Sequence, residues 1–283
     1  MVSAVDYLVI GHVTHDLQPD ASFTIGGTVA YAALTAAAMC RSVGVLTSAG
    51  STFDGAVFRN RVEVFCHAAP STTTFWNHYV NGSREQIVYE LALPLRATHV
   101  PDAWERPSVV HLGPVIGECD PDLVGRFPDS VFIGITPQGW MRWLDEDGRV
   151  HPRPWVESQR LLERASAVVC SIEDIQGEWE TAERFASQTH LLVVTMGRRG
   201  GILFSDGRPV PFPALEVPEA DPTGAGDIFA AVFFSSVAAG TEPLAAAHFA
   251  ACVASHSVTR MGLAAVPEAS EVAECRKALD VSD

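Results

Sequence analysis

The residues best suited to chemistry lie together, in a run of small residues that leads into an apolar stretch. The run reads Asp221-Pro222-Thr223-Gly224-Ala225-Gly226-Asp227. Small residues let the backbone turn sharply, so that consecutive N–H groups point at one place. At the start of a helix these groups have no internal partner, and the helix dipole favours an anion. The run therefore predicts an anion hole at Gly224, Ala225 and Gly226, with the carboxylate of Asp227 beside it.

An aspartate in this place has two interpretations. Asp227 can accept a proton from an attacking hydroxyl while the N–H groups stabilise charge on a phosphoryl group in transfer. The plainer alternative is a glycine turn followed by an aspartate that caps a helix. The run by itself leaves both open.

Composition excludes several other chemistries. Lys277 is the only lysine, so a Schiff base, a Walker-type phosphate loop and the strand lysine of a protein kinase have no internal lysine to use. The formal net charge of −15 argues against nucleic acid or an anionic membrane as a partner. With no basic leader or membrane-length apolar run, we expect a cytoplasmic protein. The six scattered cysteines predict buried, reduced thiols.

Apolar runs of strand length alternate with helix-length segments. The strand candidates are nearly continuous Val/Ile/Leu runs, as in strands covered on both faces: 8–10, 43–46, 109–112, 131–135, 167–170 and 191–195. The helix candidates are 29–41, 157–164, 178–189, 227–239 and 242–260. This alternation is typical of a mostly parallel sheet with helices on both sides. We expect residues 1–283 to form one α/β domain.

Two segments interrupt this rhythm. Residues 72–79 and 84–90 read as strands joined by Asn81-Gly82, a strong hairpin signal. Together with the stretch 14–25 they could form a small sheet, and we place the two insertions at about 13–25 and 67–92. A sheet beside the ends of parallel strands could close over a site as a lid. A plain edge hairpin is the alternative.

The run that ends at Asp227 closely resembles the D-T-x-G-A-G-D signature of the PfkB (ribokinase-like) carbohydrate kinases. The resemblance extends along most of the chain. Asp16 stands where an aspartate of that family binds substrate hydroxyls, and Gly26-Gly27 where a glycine pair opens the first helix. Thr195-Met196-Gly197-Arg198-Arg199-Gly200 resembles the family's T-L-G-x-x-G phosphate loop. The family's late helix, near the adenine, ends in a glycine, as at Gly262.

The resemblance implies a ribokinase-like fold, with a central sheet flanked by helices and a small β-sheet lid. It implies an ATP-dependent kinase that uses Mg²⁺ and transfers the γ-phosphoryl group to a hydroxyl of a sugar or cyclic polyol, with Asp227 as the base. The donor is then expected to contact Ser171, Thr195, Gly197, Gly200, Thr223 and Gly262. A K⁺ ion is expected at Asp221, six residues before the base, and a homodimer is expected to form through the lid.

Some positions depart from the family pattern. Tyr31 replaces the asparagine that usually follows the glycine pair, so the acceptor site with Asp16, Gly26 and Gly27 is shaped differently from a ribose site. The N-x-x-E motif, which helps hold magnesium through water, is matched by Ser171-Ile172-Glu173-Asp174. Either Glu173 or Asp174 could serve, because magnesium needs one or two carboxylates. Gln138, after the strand ending at Ile135, is a further acceptor-side candidate.

These departures resemble the inositol-kinase-like branch of the family and favour myo-inositol as the acceptor. A nucleoside kinase remains an alternative, with a purine slot lined by Phe23, Phe75 and Trp76. A catalytically silent sugar-binding protein on the same fold is another, although such a protein needs no base at Asp227. A dinucleotide dehydrogenase is disfavoured, because Gly11-His12-Val13 lacks the G-x-G-x-x-G turn.

Overall fold

The computed structural model describes residues 3–58, 61–80, 83–156 and 158–279. Its strands are β1 Tyr7–Ile10, β2 Thr14–Leu17, β3 Phe23–Gly26, β4 Val43–Ala49, β5 Val62–Ala68, β6 Thr73–Val80, β7 Ser83–Glu90, β8 Val109–Leu112, β9 Phe132–Ile135, β10 Arg142–Leu144, β11 Val150–Pro152, β12 Ala167–Ser171, β13 Leu191–Thr195, β14 Gly201–Ser205 and β15 Arg208–Phe212. The α-helices are α1 Thr28–Ala38, α2 Ser158–Arg164, α3 Trp179–Ala186, α4 Ala225–Ala238, α5 Pro243–Ser257 and α6 Ala269–Ala278.

Nine strands form the central sheet, in the order β15-β14-β13-β12-β9-β8-β1-β4-β5. The strands from β13 to β5 in that order pair in parallel, whereas β14 and β15 continue the sheet antiparallel at one edge. Parallel strands need crossover connections, and the helices supply several of them. The prediction of a mostly parallel sheet with flanking helices is confirmed.

Two hydrophobic cores lie on opposite faces of this sheet because successive residues of a strand point to opposite sides. Tyr7 and Val9 of β1 face the core that includes α1, α4 and α5. Leu8 and Ile10 face the second core, which includes residues of α2 and α3. All four side chains are buried, so the strand reads as a continuous apolar run and not as an alternating one.

The small sheet has the strand order β3-β2-β6-β7. It is built from the two predicted segments, and β2 pairs with β3 antiparallel and with β6 parallel. The second insertion begins later than predicted, because β5 belongs to the central sheet and ends at Ala68. The Asn81-Gly82 turn lies outside the described residues, as does Glu157.

The prediction that the six cysteines are buried, reduced thiols is partly wrong. Cys119 and Cys170 are buried and free, but Cys40 and Cys66 are exposed. Cys252 and Cys275 are joined by a disulfide between α5 and α6. Their separation of 23 residues hides the pairing in the sequence. Within the described ranges, no helix combines the length and the apolar character that a membrane crossing requires.

Candidate active site

A cavity of about 480 Å³ opens where several strands of the central sheet end. Thr136 follows β9, Ser171 ends β12 and Thr195 ends β13, and all three line the cavity. The N-termini of α1 and α4 contribute Thr28 and Ala225. The carboxyl ends of parallel strands are the usual ligand-binding edge of an open α/β sheet. This cavity is therefore the candidate active site.

Asp227 lies in the first turn of α4, and the turn before it depends on a glycine. Gly224 is the N-cap of the helix and has a left-handed backbone, with φ of +79°. That conformation costs other residues about 1–2 kcal/mol. The residues from Gly224 to Asp227 all line the cavity, so the first turn of α4 and the carboxylate of Asp227 border the same space.

One N–H of the predicted anion hole is used within the turn itself. The N–H of Ala225 donates to the carbonyl of Pro222 over 3.2 Å, so this group closes the turn. The N–H of Thr223 donates to Asp221 Oδ1 over 2.9 Å. Gly226 lies in the first turn of the helix, where N–H groups have no intrahelical acceptor.

The carboxyl of Asp227 has a raised pKa of about 6. Burial is the main cause, because desolvation disfavours the charged form. A hydrogen bond from Thr28 lowers the pKa, the nearby charge of Asp174 raises it, and the charge of Arg142 lowers it. A carboxyl with this pKa is ionised at pH 7 and still basic enough to take a proton from a hydroxyl.

Tyr31 connects the two ends of the site. A Cβ placed on Gly224 would lie 2.3 Å from Cδ1 of Tyr31, so the glycine lets the tyrosine ring lie directly on the turn. Burial raises the pKa of Tyr31, and the charges of Asp16, Asp221 and Asp227 raise it further. The residue that replaces the family's asparagine thus lies within electrostatic reach of three carboxylates.

The residues predicted to bind the acceptor lie on β2 and at the glycine pair. Asp16 lines the cavity from β2. Gly26 lies across from it, and a Cβ there would be 2.4 Å from Asp16 Oδ2. Gly27 caps α1 with φ of +87°, and a Cβ there would be 2.5 Å from the carbonyl of His12. Gly26 therefore makes room for the carboxylate and does not itself line the cavity, whereas Gly27 does.

The two acids considered for magnesium have different surroundings. Asp174 Oδ1 accepts a hydrogen bond from Gln138 Nε2 over 3.0 Å, and Oδ2 accepts one from the Ser171 N–H over 2.8 Å. Ser171 Oγ accepts in turn from the Asp174 N–H. Glu173 also lines the cavity but is exposed. An oriented carboxylate suits magnesium, which keeps most of its waters, so Asp174 fits the ion better than Glu173.

Gln138 is therefore connected to the acid that would orient the metal. We expected it on the acceptor side. It lines the cavity, and its amide binds Asp174. The link between the end of β9 and the end of β12 has no signature in the sequence, since the two residues are 36 positions apart.

The loop that resembles the family's phosphate loop follows β13. Thr195, Gly197 and Gly200 line the cavity, and both glycines have positive φ, at +57° and +81°. Arg198 and Arg199 lie between them, exposed at the mouth of the cavity. These two arginines and Arg142 were not predicted as site residues. The available signal was the position of Arg198 and Arg199 just after β13 and of Arg142 at the start of β10, in a chain with only one lysine.

Asp221 and Gly262 form a structural pair outside the cavity lining. Asp221 Oδ2 accepts a hydrogen bond from the Gly262 N–H over 3.0 Å, while Oδ1 holds Thr223. Gly262 was expected to contact the donor, but its N–H instead donates to Asp221, which also accepts a hydrogen bond within the turn before α4. Thr223 lines the cavity beside it.

A buried polar chain leads from β1 to the cavity. Tyr7 Oη lies 3.1 Å from His111 Nδ1, and His111 Nε2 lies 3.0 Å from Thr136 Oγ1. Burial lowers the pKa of His111 to about 3, so the ring is neutral. When the Tyr7 hydroxyl donates to Nδ1 and Nε2–H donates to Thr136, every donor has an acceptor. The Thr136 hydroxyl itself donates to the carbonyl of Leu112 over a long 3.5 Å, and a ligand in the cavity can take this proton in place of the carbonyl.

Comparison with known proteins agrees with this geometry. Residues 159–269 match the model of the pfkB family carbohydrate kinases. A pyrophosphate-dependent kinase of the ribokinase family, complexed with a pyrophosphate analog and myo-inositol, superposes with a TM-score of 0.82 at 23% identity, covering 95% of this chain and 99% of that chain. A ribokinase from Thermotoga maritima gives a TM-score of 0.74 at 19% identity, covering 96% and 99%.

A third structure, Arabidopsis thaliana ribokinase complexed with ribose and ATP, has a TM-score of 0.71 at 16% identity and covers 99% of this chain and 100% of that chain. No curated protein sequence matches the chain. Likeness at these identities shows the fold, and the segment matched by the family model contains the loop from Thr195 to Gly200 and Asp227. The resemblance to the PfkB carbohydrate kinases is thereby confirmed over residues 159–269, and the chain has the ribokinase fold.

Proposed function

We propose that this protein transfers the γ-phosphoryl group of ATP to a hydroxyl of a cyclic polyol, with myo-inositol as the preferred acceptor. One observation supports this most strongly: Asp227 lines the same cavity as Asp16, which we assign to the acceptor, and as the loop from Thr195 to Gly200, which we assign to the donor. A base in that position can reach the hydroxyl that attacks the phosphoryl group.

The proposed reaction is an in-line displacement. The acceptor hydroxyl gives its proton to Asp227 as its oxygen attacks the γ-phosphorus, and the bond to the bridging oxygen of ADP breaks. The N–H groups at the start of α4 stabilise charge on the phosphoryl oxygens. Mg²⁺, when bound, neutralises donor phosphate charge, and we assign its orientation to Asp174. Arg142 lines the same cavity and lies within electrostatic reach of Asp227.

The acceptor assignment rests on the shape of the acceptor end. A ring with a hydroxyl on every carbon needs several convergent polar groups. Asp16, Thr14 and Thr136 line the cavity, and Tyr31 fills the place of the family's asparagine. Of the three aromatic residues suggested for a purine slot, Phe75 lines the cavity, whereas Phe23 is exposed and stacks on His15. The relative complexed with myo-inositol supports the polyol over the nucleoside.

The donor has a second candidate, pyrophosphate. An apolar wall at the donor end, with Leu215, Val217, Ala254 and Val258, suits the adenine of ATP. Two observations favour pyrophosphate: the relatives with a TM-score of 0.82 depend on it, and Arg198 with Arg199 places two cations at the mouth of the cavity. Arginine binds phosphate oxygens in a bidentate manner, so the pair could hold a donor that lacks a base.

We further propose that the small sheet closes over the acceptor as a lid and that two chains associate through it. Phe23, Tyr89 and Leu91 are large apolar side chains exposed in or next to this sheet, which supports contact with another surface. We also place the protein in the cytoplasm, where ATP and polyols are available.

The test is a matrix of initial rates. ATP and pyrophosphate are each combined with myo-inositol, ribose, fructose, adenosine and cytidine, and product is followed by ³¹P NMR. We expect the highest kcat/KM for ATP with myo-inositol. A preference of more than about tenfold, 1.4 kcal/mol, for ribose or a nucleoside would refute the polyol assignment. The same preference for pyrophosphate would establish the second donor, and binding without turnover would leave a silent sugar-binding protein.

A further inference from the structure

A second cavity, of about 330 Å³, lies behind the donor end of the site. It is bounded by α5, by α6 and by the segment 213–215. Ala214 and Leu215 line this cavity and the active-site cavity alike. The backbone at Leu215 is also tied to α5, because its N–H donates to Ser255 Oγ over 3.1 Å. Because Leu215 lines both cavities, a structural change in the second cavity can move the wall of the active-site cavity.

The second cavity contains a cluster of three reactive side chains. Cys252 of α5 and Cys275 of α6 are joined, with their Cα atoms 6.0 Å apart, within the usual range for a disulfide. His256 stands one helical turn after Cys252, and its ring nitrogen lies within 4.8 Å of both sulfur atoms. The two cysteines are buried to 7% and 3% exposure, whereas His256 is exposed. The cavity gives solvent and small molecules a path to the pair.

The disulfide is an important attachment of the C-terminal half of α6. Val272 and Cys275 are the buried residues of this helix. Its first half is held by Glu271, which forms a salt bridge with Arg260 over 2.9 Å. Its second half is held by Cys275 and by Arg276, which lies over the Phe249 ring. Opening the disulfide would therefore loosen the end of α6 that borders the second cavity while the helix stays attached at its start.

We propose that Cys252 and Cys275 form a reversible thiol–disulfide switch that controls donor binding, with His256 as the proton acceptor. The effect on the donor rests on the proposed function; the exchange chemistry does not. In the oxidised form the disulfide holds α6 against α5, and Leu215 stays in place in the cavity wall. In the reduced form the end of α6 can move away, the second cavity can enlarge and Leu215 can retreat from the donor.

The exchange balances with a small-molecule disulfide as the oxidant. One cysteine loses its proton to His256, and its thiolate attacks the oxidant to form a mixed disulfide and release one thiolate. The second cysteine, deprotonated in the same way, attacks the protein-side sulfur, closes the Cys252–Cys275 bond and releases the second thiolate. The two protons end on the two released thiols, so two cysteine thiols are oxidised and one small disulfide is reduced.

The remaining cysteines provide internal controls. Cys119 and Cys170 are buried, and burial raises the pKa of both thiols, which keeps them protonated and unreactive. Cys40 and Cys66 are exposed, free and outside both cavities. Cys40→Ser therefore tests whether any redox effect comes from an unrelated surface thiol.

The experiment is a redox titration of the full chain in glutathione buffers. Free thiols are counted after denaturation, the cross-linked peptides are identified by mass spectrometry, and KM for donor and acceptor is measured at each point. We expect four free thiols of six in the oxidised protein, and a donor KM about fivefold lower than in the reduced protein. The acceptor KM should stay constant. Cys252→Ser and Cys275→Ser should behave as reduced enzyme in every buffer, and Cys40→Ser as wild type.

His256→Gln should slow formation of the disulfide by at least about tenfold, as expected when a general base is lost, without changing the final thiol count. Six free thiols under strong oxidation would overturn the proposal, as would a disulfide that leaves the donor KM unchanged.

Reduced protein is also titrated with Zn²⁺ alone. Stoichiometric binding that Cys252→Ser abolishes would show a metal site in place of a switch. The thiol count does not depend on kinase activity. A failure of the switch can therefore be told apart from a failure of the proposed function.

Discussion

Thr28, at the first position of α1, donates a hydrogen bond to the carboxylate of Asp227, in the first turn of α4. The N-termini of two helices that pack side by side are thereby joined at the proposed base. The hydrogen bond stabilises the ionised carboxylate and opposes the effect of burial. We therefore expect Thr28 to act as a positioning residue for Asp227.

Asp227→Asn should lower kcat by roughly 10²–10⁴-fold, the usual contribution of a positioned general base. The variant should also be more stable than wild type at pH 8. The folded pKa of Asp227, about 6, exceeds the ordinary value of 3.8, so ionised Asp227 costs stability above pH 6, and that cost vanishes below about pH 4. Melting temperatures at both pH values and single-turnover rates measure the two effects. A variant that keeps more than half of the wild-type kcat would contradict the assignment.

Thr28→Val should move the acid limb of the kcat profile to higher pH. Wild-type kcat should fall as pH drops through about 6, because protonated Asp227 cannot accept a proton. Without the hydrogen bond that lowers its pKa, the carboxyl protonates at higher pH still. Thr28→Ser retains the hydroxyl and is the matched control, expected to titrate like wild type. If Thr28→Val and wild type had identical acid limbs, Thr28 would not influence the pKa of Asp227.

Two glycines of the turn form a matched pair for mutagenesis. Gly224→Ala requires a Cβ at positive φ and 2.3 Å from the Tyr31 ring, so it should distort the turn, lower the melting temperature and abolish turnover. Gly226→Ala meets nothing within 4 Å and should fold normally. A loss of donor affinity in Gly226→Ala would show that a phosphate approaches that backbone. Equal stability of the two variants would contradict the strain argument.

A monovalent cation beside the turn is expected to raise activity. Asp221 accepts hydrogen bonds from the N–H groups of both Thr223 and Gly262. A K⁺ ion at this carboxylate would therefore order the two loops that contain these residues and preorganise the predicted anion hole. Rates in KCl should exceed those in a large organic cation at equal ionic strength. Asp221→Ala should lose the difference and, because two partly buried N–H groups are left without this acceptor, should lose about 1 kcal/mol of stability. Equal wild-type rates in both salts would argue against the ion.

Thr136→Val should raise the acceptor KM by about threefold to tenfold, the effect of losing one hydrogen bond, while the donor KM remains unchanged. The melting temperature should also fall, because the buried His111 Nε2–H loses its acceptor. Thr136→Ser keeps the hydroxyl and should bind normally. Tyr7→Phe removes the far end of the chain that orients Thr136, and it should give a smaller KM increase with a lower melting temperature, because His111 Nδ1 loses its partner. If Thr136→Val binds the acceptor as wild type does, Thr136 only lines the cavity.

Local patterns in the sequence predicted the central sheet and the base. Continuous apolar runs identify β1, β8, β12 and β13 because strands of a parallel sheet are buried on both faces. The turn before α4 could be predicted because its conformation depends on small residues next to one another. Edge elements were missed where the pattern is weak. β5 is partly exposed, and β15 contains Pro209 and Pro211, which an edge strand tolerates and a central strand does not.

Only the tertiary structure decided how the site is completed. Thr28 meets Asp227, Gln138 meets Asp174, and Gly262 meets Asp221 across separations that no local pattern encodes. The same is true of Cys252 and Cys275, which α5 and α6 bring together. Spacing along the chain reports on neighbours within one helix or strand, because backbone geometry fixes those distances. Contacts between elements depend on the packing of the whole sheet and its helices.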